Sequence, residues 1–155
     1  MIMDTLHHLI QKAKAQGVPV RHHAVSTFSI DKAQRLFGQT FCREYHHFLR
    51  EVGFLHIHPH RVLGLSQDTP SVHDKHSFLW ATLQFRQQYF TDPRLSVVEN
   101  SNNQWFFLLN HANGKLYGFD AIEAQYTKNY RPLLQPEPDS FTDYLHRFID
   151  NFLTG

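Results

Sequence analysis

Three β-rich runs, Leu95 to Asn100, Trp105 to Asn110 and Lys115 to Asp120, are separated only by Ser-Asn-Asn-Gln and His-Ala-Asn-Gly. Connections this short cannot hold the crossover that parallel strands need, and Asn and Gly supply the left-handed backbone of tight turns. The spacing therefore predicts an antiparallel meander in the middle of the chain.

Helical periodicity surrounds it. From Asp4, placed to cap, Leu6, Leu9, Ile10 and Ala13 recur on one face until Gly17 and Pro19, which predicts a first helix over residues 4–16. Ser26 to Ser29 reads as a connector, and Ile30, Ala33 and Leu36/Phe37 as two further turns closed by Gly38. Thr40 is the expected cap of a third helix whose buried face is Phe41, Tyr45, Phe48, Leu49 and Val52, with Gly53 as its stop. Leu55, Ile57, Val62, Leu63 and Leu65 read as one or two short strands around Pro59, and Gly64 marks a bend or a close approach. A fourth helix is expected between Asp74 and Phe90 on the face Phe78, Leu79, Leu83, Phe85 and Tyr89/Phe90. Pro132, Pro136 and Pro138 make the following tail extended, with an edge strand expected near Tyr130 to Leu134. Ser140 with Asp143 then opens a last helix carrying Phe141, Leu145, Phe148 and Phe152. Helices in front, an antiparallel sheet and a helix behind define an α+β single domain over residues 1–155.

Composition excludes several classes. Apolar residues make up 41% of the 155 and aromatics 14%, enough for one core without staples, and no apolar run approaches a membrane span. The formal charge of +1 gives no global attraction for nucleic acid or an acidic membrane. Charge is uneven along the chain, however, and residues 120–150 are mildly acidic through Asp120, Glu123, Glu137, Asp139, Asp143 and Asp150. Cys42 is the only cysteine, which forbids an internal disulfide and every CxxC motif. The N-terminal Met-Ile-Met-Asp-Thr-Leu-His-His shows no secretory signal, so a cytoplasmic location is expected.

No catalytic motif emerges. No two of the seven glycines stand two apart, so neither GxGxxG nor a Walker loop can be written, and GxSxG, HExxH and EF-hand loops are missing from the sequence. Cys42, near a helix start, reads as a packing residue rather than a nucleophile. Among the 13 histidines, His56, His58 and His60 form the sharpest metal pattern, because one strand would align three imidazoles on one face. Pro59 interrupts that strand and no carboxylate stands near to orient the rings, so solvated edge histidines are the preferred reading and no metal or cofactor is expected. Phe48, Leu49, Trp105, Phe106, Phe107 and Phe119 follow core periodicity and lack the basic groove of a base-stacking platform.

The run Phe37-Gly38-Gln39-Thr40-Phe41-Cys42-Arg43-Glu44-Tyr45-His46-His47-Phe48-Leu49-Arg50-Glu51-Val52-Gly53 resembles the opening signature of the SUKH superfamily, the Smi/Knr-like domains. Val62-Leu63-Gly64-Leu65 resembles that family's Tyr-Gly-Leu strand, Trp105 to Asn110 its Trp-aromatic-Leu strand, and Gly114 to Asp120 its Gly-x-x-Tyr-x-Tyr/Phe-Asp strand. Phe141 to Leu153 resembles its closing helix, so the likeness covers about residues 30–153, with helix 4–16 packed on it. Cys42 and Phe54 stand where the family has Pro and a second Gly, which marks a divergent member.

The resemblance implies a curved antiparallel sheet packed by N-terminal helices and a C-terminal helix. It also implies a non-enzymatic immunity protein that neutralises a cognate toxin domain, often a nuclease, of a polymorphic or contact-dependent system. The partner is then a protein, with no direct nucleic-acid or membrane contact, and the chain is a monomer or weak homodimer. Because such a nuclease is expected to be basic, Asp120, Glu123, Tyr126, Glu137, Asp139 and Asp143 are the candidate toxin-binding residues. The alternatives are a regulatory adaptor of the same fold binding a host protein, and a histidine-dependent metal enzyme.

Overall fold

The computed structural model describes residues 2–154 and has α+β architecture. Helix α1 (Ile2–Ala15) buries Leu6, Ile10 and Ala13 completely. It begins two residues before the cap expected at Asp4, whose side chain lies outside the described residues. Helix α2 (Thr27–Phe37) starts inside the supposed connector, because the Ser26 hydroxyl accepts from the Ser29 amide and caps it there. Helix α3 (Arg43–Glu51) is capped at Cys42 rather than Thr40. The reason is long-range: the Phe41 amide donates to Gln34 Oε1 at 2.9 Å and the Cys42 amide to His111 Nδ1 at 3.0 Å, leaving Thr40 exposed.

Strands β1 (Leu55–Ile57) and β2 (His60–Val62) form a small hairpin whose turn contains a cis His58–Pro59 bond. Beyond it, Gly64 meets the expectation of close approach, since a Cβ there would lie 1.7 Å from the Gly53 carbonyl oxygen. Gly53 itself takes φ +83°, and its own Cβ would lie 1.6 Å from the His23 carbonyl oxygen. These two glycines let the end of α3, the segment before α2 and the β2 exit stack backbone on backbone.

Helix α4 (Phe78–Gln88) is shorter than the span between Asp74 and Phe90, because Ser77 caps it, and Leu83 faces outward instead of joining the core. The meander follows the turn chemistry closely: β3 (Leu95–Ser101), β4 (Trp105–Asn110) and β5 (Lys115–Asp120) pair antiparallel in sequence order. Asn102 and Asn103 take positive φ in the first turn and Gly114 in the second.

A fourth strand, β6 (Leu134–Ser140), completes the sheet in the order β3-β4-β5-β6. It lies downstream of the expected position, and residues 131–133 make a short 3-10 turn instead. Pro136 and Pro138 are accommodated because β6 is an edge strand with only one neighbour to satisfy. Irregularities between Val97 and Glu99 and between Lys115 and Tyr117 bend the strands.

Helix α5 (Phe141–Asp150) is capped by Ser140, whose hydroxyl accepts from the Asp143 amide at 3.1 Å. It buries Phe141, Leu145 and Phe148, while Phe152 packs from beyond the helix end.

Helices cover the sheet from both sides. Phe85 of α4 meets Phe106 and Phe119 at 5.3 and 5.1 Å on one face, and Tyr144 of α5 meets Phe107 at 5.3 Å on the other. Glu44 of α3 accepts from both the amide and the hydroxyl of Thr142, fastening α3 to the start of α5. Gln16, just beyond α1, exchanges hydrogen bonds with the Thr154 backbone at 2.9 and 3.1 Å, which ties the two ends of the chain together.

Candidate functional site

Strand alternation puts Trp105, Phe107 and Leu109 of β4 on the α5 side of the sheet. Leu116, Gly118 and Asp120 of β5 lie opposite them in register. Gly118 lets the Trp105 ring and the Glu137 carboxylate close over the strand, because a Cβ there would lie 2.4 Å from the ring and 2.7 Å from Glu137 Oε1. Trp105 and Phe107 are only half-buried, so the expectation that both are core residues is corrected, whereas Phe48, Leu49, Phe106 and Phe119 are buried. Phe107 packs against Tyr144 of α5, and the Trp105 ring lies beside it at 6.2 Å.

Between that face and α5 lies a cleft of about 440 Å³, lined by Glu99, Phe107, Glu137, Asp139, Tyr144 and Arg147 among others. His60 and Phe152 also line it, with their rings 5.9 Å apart. Glu99 accepts a hydrogen bond from the Tyr144 hydroxyl. Burial pushes the Glu99 carboxyl up, while the Tyr144 hydrogen bond and His60 pull it the other way. Asp139 pairs with Arg147 in the last turn of α5. The cleft thus offers three carboxylates, one guanidinium and the aromatic rings of Phe107, Tyr144, Phe148 and Phe152 to a partner.

Of the six residues picked out in the sequence, Glu137 and Asp139 meet in this cleft. Asp120 shares the sheet face, directly across from Trp105, but its carboxylate is turned to local use and accepts from the Ile122 and Glu123 amides. Glu123 and Tyr126 are exposed on the 3-10 turn that follows, and Asp143 is exposed on the first turn of α5. Glu99, Tyr144, Arg147 and Phe107 are the cleft residues the acidic pattern missed. Tyr144 and Arg147 do carry a local signal, since they stand at i, i+3 on the last helix; Glu99 joins them only through the pairing of distant segments.

The other sequence candidates separate. His56 and His58 have ring centroids 6.0 Å apart, whereas His60 turns to Phe152 on the other side of the hairpin, so the three imidazoles do not share a face. Among the described residues no three His, Cys, Asp or Glu side chains converge as a metal would require. Cys42 is half-buried and burial pushes its thiol up, away from the thiolate a nucleophile needs. No helix among the described residues is long and apolar enough to cross a membrane.

The SUKH_5 family model, described as SMI1-KNR4 cell-wall, matches residues 6–136. That span takes in α1, four helices in all and the sheet as far as β6, so it starts earlier than the resemblance over residues 30–153 and stops before α5. No curated protein matches the chain. The SUKH family is commonly associated with immunity proteins and protein–protein interaction, and is generally non-catalytic. With a match over most of its length, an α+β fold and a four-stranded antiparallel sheet, this chain belongs to the SUKH (SMI1-KNR4) family.

Proposed function

We propose that this chain is an immunity protein that binds the toxic domain of a polymorphic or contact-dependent toxin system, a basic nuclease domain, and neutralises it in the cell that makes both. The observation that carries this reading is the convergence of Glu99, Glu137 and Asp139 beside the half-buried ring of Phe107 in one cleft. Carboxylates at a rim steer a basic partner into place, and partly exposed aromatics give it pockets to fill. Trp105 and Asp120 extend the surface along the same sheet face, and Glu123, Tyr126 and Asp143 are the outlying members of the proposed contact.

Docking is through side chains rather than strand addition. The sheet has two edge strands, β3 and β6: on β3 the Val98 carbonyl accepts from the Leu63 amide and the Val97 amide donates to the Thr82 hydroxyl, and on β6 Pro136 and Pro138 discourage a further strand. An inhibitor of this kind needs no cofactor and no contact with nucleic acid of its own, and works as a one-to-one complex.

Association kinetics test the face. Reversing Glu137 and Asp139 to Lys is expected to slow association several-fold at low salt and to flatten its salt dependence. Reversing Lys12 and Lys14 of α1 leaves both unchanged. Since Asp139 pairs with Arg147, Glu137→Lys alone, checked for an unchanged melting temperature, separates a binding effect from a folding one. Equal association rates for Glu137→Lys and the parent protein would remove the cleft from the interface.

A further inference from the structure

The opposite side of the β1–β2 hairpin carries a feature of the other sign. Arg21 forms an isolated antiparallel bridge with His56, exchanging backbone hydrogen bonds of 2.9 and 2.8 Å, and His56 is in turn the register partner of Arg61. Three adjacent backbones therefore set Arg21, His56 and Arg61 side by side on one face. Arg61 Nη1 donates to His76 Nδ1 at 2.8 Å, which adds a second imidazole and leaves the proton of neutral His76 on Nε2. All four side chains line one cleft of about 330 Å³ between the hairpin and the loop of residues 66–76.

A row of like charges is costly to hold, and this row has little to offset it. Among the described residues neither Arg21 nor Arg61 forms an ion pair with a carboxylate. Asp74 is the acidic residue in the cleft lining, and its oxygens are engaged by the Ser66 hydroxyl and the His76 amide. Asp68 turns to His23, 3.4 Å away. The Nε2 of His56 is buried without a hydrogen-bond partner, and a buried polar atom of this kind calls for one. Burial first, then Arg61 and Arg21, hold the His56 ring below the usual imidazole range.

We infer that this cleft binds a phosphate-class oxyanion, held between the Arg21 and Arg61 guanidiniums with His56 Nε2 and His76 Nε2 as further donors. The class follows from the donor set. A planar carboxylate is satisfied by a single guanidinium fork, whereas a tetrahedral oxyanion accepts from several directions at once, as donors from three backbones and a loop provide. The site is independent of the acidic cleft and stands whether or not a toxin docks there.

Titration of the full chain with inorganic phosphate at constant ionic strength tests it, read by calorimetry and by the His56 ring proton resonances. Expected is saturable one-to-one binding at about 1 mM or tighter, with His56 shifting at the same midpoint. Arg21→Gln and Arg61→Gln, both at solvent-accessible positions, are each expected to weaken it roughly tenfold, and acetate at equal concentration does not compete. Absence of saturation, a His56 signal that does not move, equal affinity in both variants or equal competition by acetate would each overturn the inference.

Discussion

His111 should make the stability of this protein fall on mild acidification. Its ring is buried among Phe37, Phe41 and Tyr45, each with its centroid 5.3 Å away. The Cys42 amide can only donate, so Nδ1 is the acceptor of that 3.0 Å bond and the neutral ring carries its proton on Nε2, facing Ser96 Oγ at 2.8 Å. Protonation would set an N–H against an N–H inside the core. Burial lowers the His111 pKa from 6.5 to about 4.

Between these values the unfolded chain binds a proton that the folded chain refuses, so stability is complete above 6.5 and is lost as pH falls toward 4. At about 1.36 kcal/mol per pH unit the whole effect is roughly 3 kcal/mol, of which about 2.4 kcal/mol falls between pH 7 and pH 4.5. His22 and His56 are also held low, so the contribution of His111 is read as a difference. His111→Asn keeps an acceptor for the Cys42 amide and removes the titration, at a cost of roughly 2 to 4 kcal/mol at pH 7. Urea unfolding of both proteins at pH 7 and pH 4.5 should show the parent losing about 2 to 3 kcal/mol more than the variant. Asp92, held at about 2 by Arg94, titrates below this window and does not confuse it. Parallel losses in the two proteins, or a His111 ring that titrates between 6 and 7 by NMR, would refute the reasoning.

Two further outcomes concern the core. Leu49→Ala should cost about 2 to 5 kcal/mol in urea unfolding, whereas exposed Arg50→Ala one position later costs less than about 0.5 kcal/mol; equal stabilities would put the wrong face of α3 inward. Gly64→Ala drives a methyl into the Gly53 carbonyl and toward a Leu49 methyl 3.1 Å away, so it should unfold at a markedly lower temperature than Gly114→Ala, which meets nothing within 4 Å and bears only the strain of its positive φ.

What could be read from the sequence was what local chemistry decides. The meander was legible because Asn102, Asn103 and Gly114 sit where left-handed turns require them, and the start of α5 because Ser140 caps it within three residues. Where distant groups decide, the reading slipped. The start of α3 depends on Gln34 and on His111, 69 residues away, which supply acceptors that Thr40 was expected to provide. His111 itself looked like one letter of a turn and is a buried polar anchor. The edge strand was placed too early because prolines argue against strands, yet at a sheet edge Pro136 and Pro138 are tolerated. Half of the acidic cleft was visible as a charge imbalance in the last third of the chain; Glu99 and Phe107 came to it through strand pairing, which no local pattern encodes.

The central proposal is that this chain neutralises a toxic domain by binding it, and co-expression with a basic nuclease toxin domain of the proposed kind tests that most directly. Survival of the cells, together with co-purification of the two proteins as a one-to-one complex that dissociates as salt is raised, is the predicted result. Cell death in the presence of folded, abundant protein, or survival with no physical complex, would contradict it.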